Sequence, residues 1–126
     1  METLNELEVQ VLRTLLAGDH ASLAALRRQL EGCRVRKREY SGAGFFAELD
    51  VPANEQRAPV TSGRVRFGDV VADVEGVEHG VGFVLFIDNG TMTMLEGYTF
   101  DEPWPEQARL IRTRYLSGPR DLSKLE

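Results

Sequence analysis

The sequence predicts an α+β protein: an N-terminal αα-hairpin packed on a mostly antiparallel β-sheet. Three observations carry this reading. Apolar residues recur at spacings of three and four from Leu4 to Leu30, an extended pattern replaces them after Gly32, and "DNGT" at Asp88–Thr91 joins two apolar runs as a tight turn would.

In the first segment Leu4, Leu7, Val11, Leu12, Leu15 and Leu16 fall on one helical stripe. Thr3 with Glu6 resembles a capping box, and Gly18 suits the helix end. Asp19 then serves as the cap of a second helix, through Leu23, Leu26 and Leu30, which stops at Gly32. Each helix has one apolar face, and a sheet is the element that would cover it.

Cys33–Tyr40 and Phe45–Val51 read as an antiparallel pair around the "SGAG" turn. "PANEQRAPVTSG", Pro52–Gly63, has two prolines and few apolar residues, and is expected to be an exposed loop and the most mobile segment. Val65–Phe67 and Val70–Val74 are strand pieces separated by Gly68-Asp69, a bulge or a tight turn. Val81–Asp88 and Thr91–Phe100 form the central hairpin. Glu106–Tyr115 fits a short helix or a further strand, and a loosely held tail is expected from about residue 116.

With 126 residues, a net charge of −5, 42% hydrophobic and 28% charged residues, the chain has the profile of one soluble globular domain spanning 1–126. A domain of this length buries roughly two thirds of the surface its unfolded chain exposes, so neither a disulfide nor a structural metal is needed for folding. Cys33 is the only cysteine, and "METLNELEVQ" lacks the basic and apolar regions of a secretory signal, so a cytoplasmic location is expected. "VGFVLFI", Val81–Ile87, is too short to cross a membrane.

The acidic balance argues against nucleic-acid binding. One basic stretch stands out: as a strand, "CRVRKREY" places Arg34, Arg36 and Arg38 on one side, either as a solvated or edge-protecting row or as a ligand-binding stripe. Arg64 and Arg66 would extend it if their strand lay alongside. No metal site or cofactor is indicated. His20 and His79 lie far apart without ligand spacing, and there is no nucleophile elbow, phosphate-binding loop or dinucleotide fingerprint. Cys33 reads as a small core residue rather than a nucleophile.

The central hairpin holds the most informative misfit. A two-residue Asn89-Gly90 loop pairs Asp88 with Thr91, and continuing that register pairs Phe83 with Glu96. Glu96 then shares a face with Phe83, Leu85, Ile87, Met92, Met94 and Tyr98, opposite Val84, Phe86, Thr93 and Leu95. A carboxylate there is costly unless it is relieved. Three outcomes are open: a bulge at Gly82 or Gly97 turns it to solvent, a strand arginine pairs with it, or it faces a cleft and binds a ligand or a partner's cation. Tyr98, Asp101, Glu102 and Trp104 follow closely enough to line the same rim. Trp104 lies between Pro103 and Pro105, either as a surface anchor or folded inward as a lid on the sheet. Glu96 with Asp101 or Glu102 also suits a hydrolase's carboxylate pair, if their separation allows it.

The stretches "LLAGDHASLAALRRQL", "GAGFFAELDVP" and "GFVLFIDNGTMTMLEGYTFDEPWPE" resemble an uncharacterised family of small bacterial α+β proteins in which a "LEGY"-like strand end precedes an acidic W-P segment. In size and charge the chain is also similar to immunity proteins of bacterial polymorphic toxin systems. No functional residue follows from the resemblance. The expected function is a non-enzymatic binding module whose acidic and aromatic surface, around Glu96, Tyr98, Asp101, Glu102 and Trp104, engages and sterically blocks a basic protein partner, as an immunity protein would. The competing expectations are a small-molecule binder or minor hydrolase with Glu96 in a pocket between helices and sheet, and a homodimer formed through a strand edge or the hairpin face.

Overall fold

The computed structural model describes residues 1–126. Two helices, α1 (Glu6–Leu15) and α2 (Ala21–Glu31), precede seven strands: β1 (Arg34–Ser41), β2 (Gly44–Asp50), β3 (Arg64–Phe67), β4 (Val70–Val74), β5 (Val81–Asp88), β6 (Thr91–Thr99) and β7 (Leu110–Tyr115). All strand pairs are antiparallel, in the order β1-β2-β6-β5-β4-β7, with β3 also paired to β5. The protein is therefore α+β and mostly sheet. The ambiguous C-terminal segment is a strand, because β4 leaves an edge that Leu110–Tyr115 completes.

Both helix starts differ from expectation. Asn5, not Thr3, caps α1: its side chain accepts from the Glu8 amide at 2.9 Å while Glu8 accepts from the Asn5 amide at 2.9 Å, a reciprocal box. Shifting the box by two residues leaves Leu4 outside the helix. His20, not Asp19, caps α2, its Nδ1 accepting from the Ser22 amide at 3.1 Å.

The core lies on one side of the sheet. Leu7, Val11, Leu12 and Leu15 of α1 and Leu23, Ala25 and Leu26 of α2 join Val35, Phe45, Ala47, Leu49, Phe83, Leu85, Ile87, Met92 and Leu95 in one buried cluster. α1 lies against β4 and β7, and α2 against β6. No helix covers the other face of the sheet. No helix is long and apolar enough to cross a membrane.

Two bulges decide which side chains face the helices. In β1 the register shifts between Val35, opposite Leu49, and Lys37, opposite Glu48, making Arg36 the extra residue. Arg34 and Arg36 consequently face outward, whereas Arg38 turns to the helix side, so the expected one-sided arginine row is broken. In β6 the register shifts between the pairs Ile87–Met92 and Phe86–Met94, making Thr93 the extra residue. The side chain of Thr93 donates to an Asp88 carboxylate oxygen at 2.8 Å. Asn89 (φ 49°) and Gly90 (φ 79°) form the expected turn with two positive φ values, but the register it sets lasts for only two pairs.

The segments expected to be loose are fastened. In the Pro52–Gly63 connection Ala58 is buried and its amide donates to the Gly90 carbonyl at 2.8 Å. Gln29, 1% exposed, donates to the carbonyls of Gln56 and Gly90 and accepts from the Met92 amide, tying α2, the connection and the β5–β6 turn together. Beyond residue 116, the Arg120 guanidinium pairs with Asp69 at 2.6 Å and donates to the carbonyls of Leu15 and Ala17 near the end of α1. Leu125 is fully buried, and its carbonyl accepts from the Ser22 hydroxyl.

Candidate functional site

The uncovered face of the sheet is built by strand alternation. Residues that flank buried positions point outward: Phe46 and Glu48 of β2, Met94, Glu96 and Tyr98 of β6, Val84, Phe86 and Asp88 of β5, and Arg64 and Arg66 of β3. Phe46 is 38% exposed, and Val84, Phe86, Met94 and Tyr98 are half-buried. Together they make an apolar strip on a face that has no second layer.

Towards the β5–β6 turn this face sinks into an open depression of about 700 Å³. Phe86, Thr93 and Met94 line its floor, with Arg36, Glu48 and Asp50 on one side and Arg64, Arg66 and Asp88 on the other. β1 and β3 are not neighbours, since β2, β6 and β5 separate them, yet the depression gathers arginines from both. Arg66 lies over the Phe86 ring, 4.2 Å from its centroid, and 3.9 Å from Asp88. Arg36 pairs with Asp50 at 2.7 Å, and Lys37 pairs with Glu39 at 2.7 Å.

The Thr93 bulge settles the position of Glu96. It stands opposite Val84 and Phe46 instead of Phe83, half-buried on the outer face, and forms no ion pair or side-chain hydrogen bond. Of the three expected outcomes, a bulge does redirect the carboxylate, but at Thr93 rather than at Gly82 or Gly97. Tyr98 is on the same face. Its ring lies over Gly82, where a Cβ would stand 2.5 Å from the ring, and meets Phe100 edge-on at 5.4 Å. Glycine at position 82 is therefore required for the tyrosine to lie flat on the sheet.

No match to this chain is found among protein-family models, curated proteins or solved structures.

The expected rim is not brought together. Trp104 turns to the helix side, where it packs on Phe45 with ring centroids 5.1 Å apart and its amide donates to the Gly42 carbonyl. The sheet thus separates Trp104 from Glu96 and Tyr98. Glu102 is occupied locally: its carboxylate accepts from the amides of Glu78 and His79 at 2.9 and 3.0 Å, and these bonds hold its pKa below the ordinary value. Asp101 is exposed at a turn with φ 68°. Glu96 lies on the outer face, away from the helix–sheet interface.

Arg38, expected in the basic stripe, is instead a core-side residue bound to Glu8 at 2.7 and 2.8 Å. Sequence reasoning missed Phe46, Glu48 and Phe86 as surface residues. A signal for the first two was present, because "FFAEL" must place its adjacent phenylalanines on opposite faces. Nothing local predicted Arg66 over Phe86, which depends on β3 pairing with β5.

Proposed function

We propose that this protein is a non-enzymatic binding module that seats a basic protein partner on its uncovered sheet face and blocks it sterically, as immunity proteins do for their toxins. The observation that carries the reading is the apolar strip of Phe46, Val84, Phe86, Met94 and Tyr98 with Glu48 and Glu96 set into it. Aromatic and methionine side chains framed by charge are the composition of a protein-binding surface. On this face Arg36, Lys37 and Arg66 each pair with an acid, Glu48 stands opposite Lys37, and Arg64 and Glu96 form no ion pair. The strip therefore offers Glu96, set between Phe46 and Val84, to a partner's cation, and the net charge of −5 would steer such a partner in. A cytoplasmic setting, with the partner made in the same cell, fits this role.

The test is binding to the polypeptide encoded beside this chain's gene, measured by calorimetry. Phe86→Ala and the Glu48→Lys/Glu96→Lys pair should each weaken binding by about tenfold or more, with folding unchanged, because central apolar anchors and desolvated charges dominate interface energetics. Unchanged affinity in both would remove the sheet face as the site. Absence of binding by the parent chain would remove the neighbouring product as the partner.

A further inference from the structure

A second recess lies on the opposite side of the sheet, between the start of α1 and the β1–β2 turn. It encloses about 220 Å³ and is lined by aromatic rings and acids: Tyr40, Phe45, Trp104, Glu6 and Glu106, with Leu7 at its base. Tyr40 and Phe45 are 6.3 Å apart and tilted by 42°, and Phe45 and Trp104 are 5.1 Å apart and tilted by 59°. The rings thus form an angled wall rather than a stack. Trp104 is fixed in it by the hydrogen bond from its amide to the Gly42 carbonyl and by Pro103 and Pro105 on either side.

We propose that this recess binds a lysine-type ammonium head, free or methylated, presented on its alkyl stem by a protein. Aromatic faces attract a cation through their negative quadrupole while burying its methylene groups, and nearby carboxylates neutralise its charge. No cation of this chain fills the role. Neither Glu6 nor Glu106 forms an ion pair, and Arg109, which forms none either, lines the adjoining recess with Glu6 and Glu75 rather than this one. The positive end of α1 also faces this region; Glu6 in its first turn offsets it, while Glu8 is paired with Arg38. The volume is below that of ordinary drug-sized pockets, which suits one side-chain head.

The inference does not rest on the outer-face reading, since the sheet separates the two sites. Trp104 is the only tryptophan, so its fluorescence reports on this recess alone. The intact protein is titrated with N-acetyl-lysine amide, its ε-trimethyl form, N-acetyl-arginine amide and, as the uncharged control, N-acetyl-norleucine amide. Saturable changes are expected with the two lysine probes and none with norleucine. Glu106→Gln and Tyr40→Ala, both at exposed positions, should each weaken the lysine response by about threefold or more, the scale of one cation–π or carboxylate contact. An equal response to norleucine would reduce the recess to an apolar pocket, and a stronger response to arginine would overturn the choice of head group. Unchanged fluorescence with every probe, or unaltered affinity in both variants, would remove the site.

Discussion

The guanidinium of Arg38 meets the carboxylate of Glu8 through two hydrogen bonds, of 2.8 and 2.7 Å, linking β1 to α1 on the core side of the sheet. Glu8 is 0% exposed and the Arg38 side chain is 11% exposed, so the pair is withheld from solvent. Arg38→Ala should therefore destabilise the fold by about 3–5 kcal/mol, because it leaves a buried carboxylate without its counter-ion. Arg38→Met combined with Glu8→Leu should cost less than that single change, with about 1 kcal/mol remaining for the lost capping box. Urea unfolding of the three proteins measures both differences.

Gln29 provides the second cross-link. Gln29→Ala orphans the Met92 amide, held at 3.0 Å, removes the side-chain donor to the Gln56 carbonyl and leaves the Gly90 carbonyl with the Ala58 amide alone. The buried amide alone should cost about 1–3 kcal/mol. Hydrogen exchange should locate the effect, with faster exchange at Ala58 and Met92 and little change in β4 and β7.

Glu102 makes the β4–β5 connection sensitive to acid. Its pKa is lowered by the amides of Glu78 and His79, so folding favours the charged form. The contribution is present above the ordinary carboxylate pKa and is lost as pH falls through the lower value of the folded state. The Glu78 and His79 amides should lose protection over that acid range, relative to strand amides under the same conditions. In Glu102→Ala, which leaves no acceptor, their protection should be low at neutral pH and should not vary over that range.

Cys33 responds at the opposite end of the scale. Burial, followed by the charge of Asp50, pushes its thiol up to about 11. The folded chain therefore retains a proton that the unfolded chain releases from about 8.5 upward, and stability is lost as pH rises through this window. At neutral pH a soluble disulfide reagent should react slowly with the native protein and rapidly after denaturation. Cys33→Ala should remove this alkaline component.

The arrangement of elements was legible because it rests on local chemistry. Helical spacing from Leu7 to Leu26, the change to alternation after Gly32 and the positive-φ pair Asn89-Gly90 are properties of short stretches, and each led to the element observed. The candidate surfaces were less legible. Glu96, Tyr98 and Trp104 lie within nine residues of one another in sequence, but the turn after β6 sends Trp104 under the sheet while the other two remain on its outer face.

Helices followed by a sheet, the central hairpin and an acid beside apolar neighbours all follow from local residue patterns. Which way those side chains face depends on how the strands pair. In a strand one extra residue reverses every position that follows it. Arg36 and Thr93 are those residues here: one sends Arg38 inward to Glu8, and the other turns Glu96 outward, away from the core. Neither bulge has a local signal, because each arises from the fit of a strand to its neighbour, and that fit exists only once the sheet is assembled.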